Sequence, residues 1–107
     1  QCLLAEMAAK VMAARALTME AARIKHQGLG CDMVAGMAKM VASEMSAEVS
    51  LAAVRVHGGY GYVSEFPVER LYREAPIYIV TEGTNEIQKM VIAKRLLAGD
   101  GEKIGLT

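Results

Sequence analysis

Residues 32–59 read DMVAGMAKMVASEMSAEVSLAAVRVHGG, and this stretch decides the fold. Apolar side chains recur at Val34, Met37, Val41, Met45, Val49, Ala52 and Val56, in steps of three and four that keep one face of an α-helix apolar. Alanine and methionine favour the helix, and no proline interrupts the chain before Pro67. Asp32 is placed to act as N-cap, and Gly58-Gly59 stops the helix.

Upstream, Leu4, Met7, Val11, Ala14, Leu17, Ala21 and Ile24 repeat the same spacing over residues 1–27. Gly28-Leu29-Gly30 supplies a left-handed stop, with Arg23 and Lys25 in the last turn complementing the negative end of the helix dipole. Each long helix measures roughly 35 to 40 Å, and a short glycine-bearing connection makes them antiparallel neighbours.

Downstream, His57 to Glu65 (HGGYGYVSE) breaks the periodicity. Its glycines suit either an interhelical turn or close backbone approach to a phosphate, although a dinucleotide fingerprint would need a strand before it. Pro67 to Ala75 reads as a short helix carrying an Glu69–Arg73 ion pair on a solvated face, and Pro76 ends it. Ile77-Tyr78-Ile79-Val80 is β-prone but has no partner strand, so the spacing predicts an extended connector. Thr84 caps a last helix from Asn85 to about Ala98, with Ile87, Met90, Val91 and Leu97 on its apolar side and Gly99 at its end. The sum is an all-α antiparallel helix bundle in one domain, residues 1–107.

Composition excludes more than it assigns. Twelve basic and twelve acidic side chains cancel, so nothing points to nucleic acid or to an anionic membrane as partner. No stretch has the length of a membrane span. Cys2 and Cys31 form neither a zinc pattern nor a disulfide framework, and read as ordinary buried thiols of a cytoplasmic protein. His57 has no ligand companions and reads as a partly buried turn histidine. The eight methionines are core filler.

Glu82 stands apart. In TEGTNEIQ, residues 81–88, a carboxylate sits beside a glycine just ahead of a helix start, free to swing toward a cleft as a base. Such a base works where water is excluded and its pKa is raised toward the working pH.

Three segments in order, Arg55 to Gly61 (RVHGGYG), Pro67 to Glu74 (PVERLYRE) and Thr81 to Gln88 (TEGTNEIQ), resemble the C-terminal helical domain of the acyl-CoA dehydrogenase family, whose pattern is Q-x-x-G-G-x-G, P-x-E-R-x-x-R-D and Y-E-G-T-x-E-I-Q. The resemblance covers essentially the whole chain. It implies that Glu82 is the base that removes the α-proton of an acyl-CoA thioester while the β-hydride leaves for FAD. It also implies that Gly83 lies beside the substrate, and that the Glu82 main-chain N–H polarises the thioester carbonyl. Thr84 and Glu86 would hold the FAD pyrophosphate region at a helix start. Arg55, Gly58 and Gly59 would touch the adenosine-diphosphate part of a flavin bound mainly to a neighbouring subunit.

The family further implies a homotetramer with exposed apolar faces as interfaces, and an electron-transfer flavoprotein or similar acceptor. Its N-terminal and middle domains have no counterpart here, so the chain reads as a fragment that does not turn over alone. The alternative is a non-catalytic oligomerisation module, or the partner subunit of a heteromer. Two departures stand out: Arg55 replaces a glutamine and sets a cation near the diphosphate, and Thr81 replaces an aromatic and changes the lining of the acyl pocket.

Overall fold

A computed structural model describes residues 1–106. Two long helices, α1 (Cys2–His26) and α2 (Asp32–His57), form an antiparallel pair that sets the long axis of a 49 × 26 × 22 Å molecule. Lys10 of α1 meets Glu48 of α2 at 2.7 Å, while Ile24 lies by Met33 and Val34 near the turn. Gly28 supplies the positive φ (74°) that ends α1.

After α2 a 3₁₀ turn (Gly58–Tyr62) leads to α3 (Val68–Glu74), a one-turn α4 (Ile77–Val80) and α5 (Asn85–Leu97); a last 3₁₀ turn covers Glu102–Ile104. No strand occurs among the described residues. The all-α antiparallel bundle read from the sequence is therefore the observed fold.

Helix α2 is the centre of the molecule, touching α1, α3, α4 and α5. Helix α5 runs antiparallel to it, since Asn85 meets Ser43 and Arg95 meets Asp32 at 2.7 Å. A helix covered on several sides needs more than one packed stripe. Accordingly Met33, Val34, Gly36, Ala38 and Ser43 are its buried residues, whereas Val56, at the end of the predicted face, is exposed.

Several expectations need correction. Ile77–Val80 is helical, not extended. Pro76 (φ −58°, ψ −23°) is already in helical geometry, and Thr81 closes the turn by donating both its N–H (2.9 Å) and its hydroxyl (2.8 Å) to the Ile77 carbonyl. With no strand to pair with, local capping decides over β propensity. Asp32 is the first helical residue rather than the cap, a position held by Cys31, and its carboxylate pairs with Arg95. Cys2 is exposed and Cys31 half-buried, because one opens α1 and the other lies in a turn. His57 is exposed too, its Nδ1 2.8 Å from the Ala53 carbonyl at the free end of α2.

Helix α5 presents a different face from the one its apolar residues suggested. Asn85 and Ile92 are buried and Gln88 and Val91 half-buried, while Ile87, Met90 and Leu97 face outward, Leu97 at 90% exposure. On α1, Leu4, Val11, Met12 and Met19 are exposed in the same way. These side chains lie outside the small core of Ala14, Ile24, Met33, Val34, Ala38, Val68, Ala75 and Ile92.

Candidate functional site

The segment between α4 and α5 gathers Glu82, Gly83, Thr84 and, one residue inside α5, Glu86. Thr84 is the N-cap: its Oγ1 accepts from the Ile87 N–H at 3.2 Å. Further main-chain N–H groups of the first turn of α5 have no intrahelical acceptor, as at any helix start. Glu82 (φ 55°) and Gly83 (φ 83°) are both left-handed, a conformation that costs a residue with a Cβ about 1–2 kcal/mol. The turn exposes the Glu82 side chain. Among the described residues its main-chain N–H makes no hydrogen bond.

A shallow, mostly apolar cavity of about 360 Å³ opens beside Glu82, walled by Ala42, Ser43 and Ser46 of α2 and by Tyr78 and Thr81. Lys39 also borders it. A larger cavity, about 610 Å³, lies at the other end of the molecule by the α1–α2 turn. Its charged groups satisfy one another, Arg95 with Asp32 and Lys103 with Asp100, each at 2.7 Å. The smaller cavity is the one with a carboxylate free to act.

The segment that carries Glu82 is tied to α2 by side chains that periodicity did not single out. Asn85 is fully buried. Its Nδ2 donates to Ser43 Oγ at 2.9 Å and to Glu44 Oε1 at 3.0 Å, and its Oδ1 accepts from Lys39 Nζ at 2.6 Å. Lys39 also donates to the Ile79 carbonyl at 3.1 Å. Gln88 Nε2 donates to the Glu82 carbonyl at 3.4 Å. A signal for this face was present in the sequence: Gly36, Lys39, Ser43 and Ser46 follow steps of three and four, a small and polar stripe beside the apolar one.

Arg55, Gly58 and Gly59 do not join Glu82. They cluster at the end of α2, some 15 residues beyond Ser43, which is about 20 Å of helix. Arg55 is exposed and without an ion pair among the described residues. The glycines differ in their reasons. Gly61 is required by the fold, because a Cβ there would lie 2.6 Å from the Val54 carbonyl, and Gly58 is left-handed (φ 62°). Gly59 has neither a positive φ nor any atom within 4 Å of a Cβ. Nothing in this chain requires its glycine, and its backbone lies open to approach.

In α3, Glu69 and Arg73 pair at 2.9 Å and Arg70 and Glu74 at 3.8 Å. The hydrogen bond from Arg73 holds the Glu69 carboxyl below its usual range.

Residues 1–97 match the family model described as acyl-CoA dehydrogenase, C-terminal domain. The chain belongs to the acyl-CoA dehydrogenase family. Among its curated relatives is an acyl-CoA dehydrogenase of Bacillus subtilis (strain 168), 48% identical over 96 residues, which make up 90% of this chain and 25% of that protein. The "Caffeyl-CoA reductase-Etf complex subunit CarC" of Acetobacterium woodii is 42% identical over 95 residues, 89% of this chain and 25% of the relative. The solved butyryl-CoA dehydrogenase of Megasphaera elsdenii superposes with a TM-score of 0.86 at 44% identity, covering 89% of this chain and 25% of the other. The chain thus spans about a quarter of the length of the acyl-CoA dehydrogenase relatives it matches.

Proposed function

We propose that this chain works as the C-terminal helical domain of a longer FAD-dependent acyl-CoA dehydrogenase, with Glu82 as the catalytic base. One observation carries the reading: a carboxylate on a left-handed turn, at the mouth of a mostly apolar cavity, with its own N–H unengaged.

The acyl part of a thioester lies against Ala42, Tyr78 and Thr81, its carbonyl oxygen accepting from the Glu82 N–H. That donor stabilises the enolate-like charge that grows as the α C–H bond breaks. Glu82 takes the α-proton, and the electron pair left on the α-carbon forms the α,β double bond as hydride departs from the β-carbon. Gly83 keeps side-chain bulk away from the thioester. FAD, when bound, supplies the two-electron acceptor for that hydride.

Fit to the flavin is partial and divided. Thr84 spends its hydroxyl on the cap, so it and Glu86 offer chiefly the α5 start, where main-chain N–H groups favour an anion. The Glu86 carboxylate carries the wrong charge for a diphosphate, so only its main-chain N–H would serve the anion. Arg55 contributes a cation, and Gly58 and Gly59 an uncovered backbone. Because the two groups lie about 20 Å apart along α2 and are both assigned to the diphosphate region, they would serve two different flavins, the one at Arg55 held mainly by a neighbouring subunit.

Glu82 is exposed here, so exclusion of water depends on what covers the cavity. The outward apolar residues of α1 and α5 are read as contacts with the remaining domains and with further copies in a homotetramer. An acyl-CoA substrate and an electron-transfer flavoprotein or similar acceptor complete the reading. The 107-residue chain alone is proposed not to turn over.

The exposed apolar faces and the separation of Arg55 from Glu82 favour one second reading: an oligomerisation module or heteromer subunit that lends Arg55 and its glycines to flavin on another chain. Light scattering on a sizing column, with flavin absorbance recorded together, addresses assembly. Anaerobic addition of short acyl-CoA esters to the longer protein addresses chemistry. Bleaching of the flavin with one enoyl-CoA formed per flavin supports the enzyme; an assembled, flavin-bearing protein that no ester bleaches supports the module.

A further inference from the structure

Among the described residues Glu82 is the one non-glycine with a positive φ. Such a conformation persists where its surroundings hold it. Two side chains from different helices grip this segment. Lys39 Nζ donates to the carbonyl of Ile79, three residues before Glu82, and to Oδ1 of Asn85, three residues after it. One ammonium therefore ties both ends of the loop to α2. The Ile79 carbonyl belongs to the one-turn α4, whose last carbonyls lack helical partners, and the Asn85 oxygen is buried.

Gln88 acts from the other side, on the Glu82 carbonyl itself. Its amide lies directly against two glycines. A Cβ on Gly36 would lie 2.9 Å from its Oε1, and one on Gly83 2.9 Å from its Nε2. The two glycines thus leave room for the amide, which donates to the Glu82 carbonyl at 3.4 Å.

We propose that Lys39 and Gln88 are positioning residues for Glu82, holding its backbone left-handed and thereby setting where its carboxylate stands at the cavity. This rests on the reading of Glu82 as the base. Neither residue needs to touch the reacting atoms. Without them the loop relaxes toward an ordinary negative φ, and a base displaced by about 1 Å loses on the order of 100-fold in rate.

The test uses the longer protein that carries this chain, with Lys39→Met and Gln88→Met, which keep volume and delete the donors, beside Glu82→Gln. Anaerobic single-turnover reduction of bound flavin by butyryl-CoA is measured per flavin, with protiated and α-deuterated ester. In both methionine variants reduction should slow about 10- to 100-fold, with a larger isotope effect and with butyryl-CoA affinity within about threefold of the parent. A purely structural role would lower flavin content and leave the rate and isotope effect of the remaining holoprotein unchanged, which overturns the proposal. Should Lys39→Met fail to fold, Gln88→Met decides alone. If Glu82→Gln keeps the parental rate, the base assignment falls and this inference with it; if Glu82→Gln is dead and both methionine variants are fast, this inference alone falls.

Discussion

Asn85 Nδ2 donates to Ser43 Oγ at 2.9 Å, pinning the first residue of α5 to the middle of α2 where no solvent reaches the amide. Truncation by Asn85→Ala leaves Ser43, Glu44 and Lys39 short of a partner in a covered place. Unmet buried polar groups are expensive. A loss of about 2–3 kcal/mol is expected, read from the denaturant midpoint at constant slope; a loss below about 0.5 kcal/mol, within the usual range for surface changes, would mean that water replaces the amide freely.

Gly36→Ala separates stability from placement of Glu82. Removing a glycine from a helix interior gains up to about 1 kcal/mol, and the atom its Cβ would crowd is the far end of the Gln88 side chain, 2.9 Å away. Stability should therefore hold or rise slightly. Flavin reduction should nevertheless slow several-fold, as the displaced amide leaves the Glu82 carbonyl. Thermal melting and stopped-flow bleaching together check the pair of outcomes.

The α3 ion pair gives a pH signature. Arg73 depresses the Glu69 carboxyl in the folded state, so its contribution is present above the unfolded value, near about pH 4, and is lost as pH falls through the lower folded value. Both groups lie at the surface, which keeps the effect small. Melting temperatures of the parent and of Glu69→Gln should differ by no more than a few degrees at pH 7 and converge in acid. A difference that grows as pH falls contradicts the pairing.

Arg55 should matter to flavin and not to the fold. It is exposed and makes no ion pair among the described residues. Arg55→Gln is expected to leave the melting temperature of the flavin-free protein unchanged. In the longer protein, flavin retention should become less sensitive to added salt, because a cation facing a diphosphate is screened and an amide is not. Equal salt dependence in the two proteins would remove Arg55 from the site.

The two long helices, their antiparallel packing and the Thr84 cap were legible because period, glycine stops and capping chemistry are local signals. The face of α5 was not. Its apolar Ile87, Met90 and Leu97 face outward while Asn85 and Gln88 face α2, because a buried polar network and not apolar periodicity sets which side of α5 packs. Ile77–Val80 misled for a related reason: β-branched residues signal a strand only where a strand partner exists. Glu82 was singled out in the sequence by its glycine and its helix start. Its left-handed backbone, and the reach of Lys39 across 40 residues to Ile79, depend on tertiary contacts that no local pattern announces.

The most direct test replaces Glu82 by glutamine in the longer protein, keeping shape and removing the base. Flavin content should match the parent, and anaerobic bleaching by butyryl-CoA should fall at least about 100-fold, the least that a lost general base usually costs. Bleaching at the parental rate with full flavin content would show that the proton is taken elsewhere, and would contradict the assignment on which this account rests.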